Sequence, residues 1–137
     1  MKRLSLATGL FLAMACSSLH AQSMNLRANI PFDFRVGDKL MPAGEYTINH
    51  LAEGVLAVRE RSGAHAGAML LTLPTSRKVA ATKGGLEFNR YGDTYFLAKI
   101  WTPDSRDGRA LFKSTREKEV ASTAGSVRSA SVALLRK

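Results

Sequence analysis

Apolar and polar residues alternate without a break from 26 to 36. Leu26, Ala28, Ile30, Phe32, Phe34 and Val36 fall on one side, and Arg27, Asn29, Pro31, Asp33 and Arg35 on the other. That is the period of a strand with one buried face. Pro31 has no N–H to give a ladder, so the pattern predicts an edge strand or one broken by a bulge. Gly37-Asp38-Lys39 and Pro42-Ala43-Gly44 read as turns. Alternation resumes at Tyr46, Ile48 and His50, and the Glu53-Gly54 turn leads into a strand over 55–60. Residues 62–67 are small and read as a connecting loop. Met69, Leu71 and Leu73 alternate up to Pro74, and the polar, basic stretch 75–85 reads as a loop.

The segment LEFNRY-GD-TYFLAKIW predicts a hairpin closed by a two-residue Gly92-Asp93 turn. Unbroken pairing from that turn opposes Tyr91 with Thr94, Asn89 with Phe96 and Glu87 with Ala98. One face then carries Leu86, Phe88, Arg90, Tyr95, Leu97, Lys99 and Trp101, and the other Tyr91, Phe96, Ala98 and Ile100. The second strand is apolar on both sides, the mark of a strand covered on both faces. Residues 102–109 (TPDSRDGR) read as a loop. Ser114 and Glu117 have capping-box spacing and predict a short helix over 115–121. Residues 122–126 read as a flexible link, and 127–135 as a last strand. The fold class is mainly β: a single antiparallel β-sandwich or small open barrel of six to seven strands, with one short C-terminal helix.

The N-terminus follows a different pattern. Lys2 and Arg3 precede twelve uncharged residues, and small residues end at Ala21. This reads as a signal peptide over 1–21, leaving one β-rich domain over 22–137 and implying a periplasmic or extracellular location. Cys16 follows a poor lipobox and offers the alternative of a lipid anchor. As the only cysteine in the chain, it excludes a disulfide framework.

Two blocks, IPFDFRVGDKLMPAGEYTI (30–48) and LEFNRYGDTYFLAKIWTPDSRDGR (86–109), resemble a group of small exported proteins common in acidobacteria. The resemblance spans most of the chain after residue 21. It implies export and a single domain, and it implies no catalytic or binding residue.

With 20 Lys+Arg against 11 Asp+Glu, the formal charge is +9, and hydrophobic residues make up 45% of the 137. This excludes a disordered chain or a polytopic membrane protein. The positive balance favours anionic partners: an anionic envelope polymer or lipid headgroups, with export arguing against nucleic acid. Arg77, Lys78 and Lys83 form one basic cluster, and Arg106, Arg109, Lys113, Arg116 and Lys118 another.

No pattern nominates a catalyst, cofactor or metal centre. Ser62 and His65 lie in a small-residue loop without a nucleophile elbow. His50 and Glu53 are separated by a turn. Asp104 and Asp107 lack the oxygen ligand a calcium loop needs at Arg106. Arg90, Tyr95, Lys99 and Trp101 share a predicted hairpin face, and mixed aromatic and cationic groups bind sugars or anions by stacking and cation–π contact. The competing reading makes Tyr95 and Trp101 core residues, with the cations at the rim. The expectation is thus an exported, non-catalytic binding or structural module that favours anionic partners. A carrier of a small apolar ligand is the alternative, and a hydrolase ranks third.

Overall fold

A computed structural model describes residues 24–135. The predicted signal peptide and the Cys16 lipidation alternative lie outside the described residues. Ten strands and one helix follow in order: β1 (Asn25–Ile30), β2 (Phe34–Val36), β3 (Lys39–Met41), β4 (Gly44–Ala52), β5 (Val55–Glu60), β6 (Ala68–Ala81), β7 (Gly85–Tyr91), β8 (Thr94–Trp101), β9 (Ser105–Leu111), α1 (Thr115–Thr123) and β10 (Arg128–Ala133). The fold is mainly β, but the strands number ten rather than six or seven.

Three local effects account for the difference. The alternating run 26–36 breaks at Pro31 into β1 and β2, because the ring removes a ladder donor. The loop read at 75–85 is largely strand. β6 runs through Pro74, pairing first with β5 and then, from Thr72, with β9. The Thr72 N–H reaches back to Gly54 O, beyond which β5 offers nothing. Pro74, two residues on, therefore lacks its N–H on an edge that has no partner. The loop read at 102–109 is mostly β9, held between β6 and β8. The helix also outruns its predicted end, reaching Thr123, with Gly125 (φ 69°) turning the chain into β10.

The strands join in the order β1-β4-β5-β6-β9-β8-β2-β3, with β7 on the other edge of β8 and β10 beyond β7. β8 is the hub. β7 pairs along one edge, while β9 and the short β2 share the other. The sheet curls until β1 approaches β10, but it does not close. β1 and the residues just after β10 meet at one isolated bridge, Ala28↔Leu134, beside a single hydrogen bond from Leu135 N to Arg27 O (2.8 Å). This junction is termed the seam below.

One hydrophobic cluster fills the inside of the curl. Tyr46, Phe34, Phe88, Ile30 and Met41 are its largest fully buried side chains, while Phe96 is buried on the other face of β8 against Tyr91. Phe88 packs edge-on against Phe34 (5.6 Å) and Phe32 (5.0 Å), and Phe34 against Tyr46 (5.0 Å). Each such pair contributes about 0.5–1.5 kcal/mol beyond its buried area. Helix α1 sits on the outer face of β7–β8. Its buried residue is Glu117, whose Oε1 accepts from Asn89 Nδ2 (2.9 Å) and Tyr91 OH (3.1 Å).

Candidate functional site on the outer face of the hairpin

The β7–β8 hairpin turns at Gly92 with φ 60°, as a primed turn requires. Tyr91 faces Thr94, Asn89 faces Phe96, and Phe88 faces Leu97. The register then shifts between Glu87 and Phe88, so Glu87 faces Lys99 instead of Ala98. A bulge has absorbed one residue. It keeps both Leu97 and Ile100 in the core, although they are three residues apart.

The bulge also divides the four residues predicted to share one face. Arg90 and Tyr95 are cross-strand partners on the core side, and Lys99 and Trp101 lie on the outer side. The first pair serves the core. Tyr95 stacks on Phe32 (3.9 Å), and the Arg90 guanidinium caps its ring at 5.3 Å. Tyr95 is half-buried and packs against the core cluster.

The second pair belongs to a built surface feature. Trp101 stands in a cross-strand row with Gly108 on β9 and Gly85 on β7, and Gly85 in turn faces Ala133 on β10. The indole lies across Gly108, where a Cβ would come within 2.5 Å of its ring. Its Nε1–H donates to Glu87 Oε2 (3.1 Å), and Lys99 Nζ pairs with Glu87 Oε1 (3.6 Å). Two cations approach the ring, Arg77 at 5.0 Å and Lys99 at 5.9 Å. Arg77 is held there by the carbonyls of Ser105 (3.1 Å) and Thr102 (3.5 Å). Beside this platform opens a groove of about 600 Å³, lined by Arg77, Lys83, Gly85, Glu87, Trp101 and Ala133.

Sequence reasoning missed Arg77, Lys83, Glu87 and the glycines as parts of this site. Arg77 and Lys83 stood in a presumed loop, and Glu87 on the far face of a ladder without a bulge. The two basic clusters read from the sequence also meet here, since Arg106 Nε donates to Arg77 O (3.0 Å).

The remaining candidate residues are engaged elsewhere. His65 Nδ1 bonds Glu60 Oε2 (2.6 Å), and this contact, outweighing a desolvation penalty, holds the Glu60 carboxyl below its ordinary value. Ser62 Oγ accepts from the Ala64 N–H (3.3 Å). Arg27 and then Arg61 hold Glu45 below the ordinary carboxylate range. Asp107 accepts from the Ser105 hydroxyl (3.2 Å). Among the described residues no group of three His, Cys, Asp or Glu side chains could hold a metal ion, and no helix is long and apolar enough to cross a membrane. No protein-family profile matches the chain, and no curated protein or solved structure is significantly similar to it.

Proposed function

We propose that this chain is an exported, non-catalytic binding module that holds an anionic polymer of the cell envelope on its outer face. The observation that carries the reading is the Trp101 platform, an indole fixed by Gly108 and Glu87 and approached by Arg77 and Lys99 beside an open groove. An aromatic face with adjacent cations suits sugar rings bearing acidic groups. The formal charge of +9 brings polyanions toward it. The interior of the curl is filled by side chains such as Phe34, Tyr46 and Phe88, which favours a ligand held outside over an apolar cargo carried within. Export rests on the pattern of residues 2–21.

The test is retention of the purified protein on isolated envelope material across a salt series. Binding at low salt that weakens steeply as screening shortens the reach of charge is the expected result. Salt-independent retention, or none at low salt, overturns the proposal. Retention by anionic vesicles but not by envelope polymer moves the partner to lipid headgroups.

A further inference from the structure

The platform groove does not end at Trp101. A second opening of about 610 Å³ lies along the seam, lined by β1 residues, Pro103, Asp104, Leu134 and the Thr82–Gly84 turn. The two openings share Lys83, Gly84 and Ala133. Resting on the reading above, we infer that they form one track for an extended acidic polysaccharide whose charges are spaced along the chain.

Gly84 is buried between the openings, packed under Leu134 and Pro103, and the exposed Lys83 and Ala133 carry the surface from one opening to the other. A Cβ on Gly84 would lie 2.5 Å from Trp101 O and 2.6 Å from Leu134 Cδ1, and one on Gly85 would lie 3.1 Å from Val132 O. Only glycine allows strands and turn to approach this closely. The result is a tight join between the openings, with the Trp101 indole on the groove side and Pro103 and Leu134 packed against Gly84 on the seam side. Apolar walls beside the exposed Lys83 suit sugar rings, which offer apolar faces and hydroxyl edges.

Charge along the track sets the ligand's pattern. Among the described residues Lys83 has no ion-pair partner, and it lies midway. Arg77 is committed to two carbonyls, Lys99 to Glu87 and Arg27 to Glu45. Glu87 marks one end and Asp104 the other. An acidic group is therefore welcome at Lys83 and at the platform end, where Arg77 and Lys99 outnumber Glu87, and disfavoured at the Asp104 end. A glycan alternating acidic and neutral sugars meets that pattern, whereas a uniformly charged polymer does not. A lipid phosphate would need several donors converging on one point, and the track spreads its donors out.

Trp101 is the chain's only tryptophan, so its fluorescence reads the site directly. The protein is titrated with di-, tetra- and hexasaccharides of alternating glucuronate and N-acetylglucosamine, with a galacturonate hexamer as the uniformly charged comparison. The expected result is a saturable fluorescence change whose affinity rises about tenfold from disaccharide to hexasaccharide, as linked subsites require. Lys83→Gln lowers hexasaccharide affinity about fivefold, the loss of one charge-assisted contact, while Lys118→Gln leaves it unchanged. Equal affinity for disaccharide and hexasaccharide, no effect of Lys83→Gln, or stronger binding of the galacturonate hexamer overturns the inference. Salt-sensitive binding of polyphosphate without any binding of hexasaccharide overturns it too, and leaves the polyanion reading standing. Binding of no anionic polymer ends both.

Discussion

Gly108 is buried beneath the indole of Trp101, and its missing side chain sets where that indole lies. A methyl group there would come within 2.5 Å of the ring and 2.7 Å of Ile100 O. Gly108→Ala is expected to destabilise the protein by about 1–3 kcal/mol, the usual penalty of overpacking, and to red-shift the fluorescence as the ring is pushed into solvent. Denaturant unfolding followed by fluorescence measures both. A second residue-scale effect concerns alkali. Burial, reinforced by the charges of Glu60 and Asp33, pushes the Tyr46 phenol from 10.0 up to about 12, and its hydroxyl donates to Pro42 O. Tyr91 is raised as well, by burial and then by Glu117. A raised folded-state value means that the unfolded chain releases its proton first. The stabilisation is therefore complete below pH 10 and is lost as the pH climbs toward 12. Thermal melts across that range are expected to show the decline, and Tyr46→Phe to make it shallower.

At the scale of elements, α1 is attached in an unusual way. Its buried side chain is an acid rather than an apolar stripe, and Ser114 caps it by accepting from the Glu117 N–H (3.1 Å). The capping-box spacing was visible in the sequence, but the Glu117 carboxylate turns away from the cap to the sheet, where Asn89 and Tyr91 donate to it. Glu117→Ala leaves the buried Tyr91 hydroxyl and the half-buried Asn89 amide without their acceptor and is expected to cost about 1–3 kcal/mol. Glu117→Gln retains a carbonyl acceptor and should lose less. Urea unfolding of the two variants checks the order. Other elements were legible to differing degrees. Alternation placed β1 and β4 because their burial repeats every second residue, whereas β8, buried at Phe96, Leu97 and Ile100, was legible as an apolar run after the Gly92-Asp93 turn. β6 and β9 were hidden because their polar, glycine- and proline-bearing halves pair with each other rather than with the core. The β8 bulge left no local mark, since Leu-Ala-Lys-Ile alternates on neither side. Its absence from the sequence reading misassigned Lys99 and Trp101 to the face of Arg90 and Tyr95. The platform could be sensed as aromatic and basic residues in one hairpin, but its makeup depended on cross-strand neighbours from β6 and β9.

For the whole molecule, the weakest join is the seam. Apart from the short β2, which meets β8 at the single pair Arg35↔Phe96, neighbouring strands are joined by ladders of several pairs, whereas β1 and the end of β10 share one bridge, at Leu134. Ala28 and Leu134 stand directly opposed, flanked by the Leu135–Arg27 hydrogen bond, which is the close, non-bonded kind of antiparallel pair. Cysteines at both positions, in a Cys16→Ser background, are expected to oxidise readily. Closing so long a loop adds about 3–5 kcal/mol. Comparing melting temperatures with and without reductant gives the value, and an unchanged temperature would show that strain in the folded seam offsets the loop-closure gain.

The seam also imposes an order in time. The turns between β4 and β5, β5 and β6, β7 and β8, and β8 and β9 join neighbours in the chain, so these hairpins form early. Ala28 and Leu134 are separated by nearly all the described residues, and their meeting carries the largest loop-closure entropy of any strand contact. Until β10 has been delivered, the Ala28 edge of β1 stays open and the track has only one wall. A chain that emerges from its N-terminus thus acquires its proposed binding surface in the last step of folding.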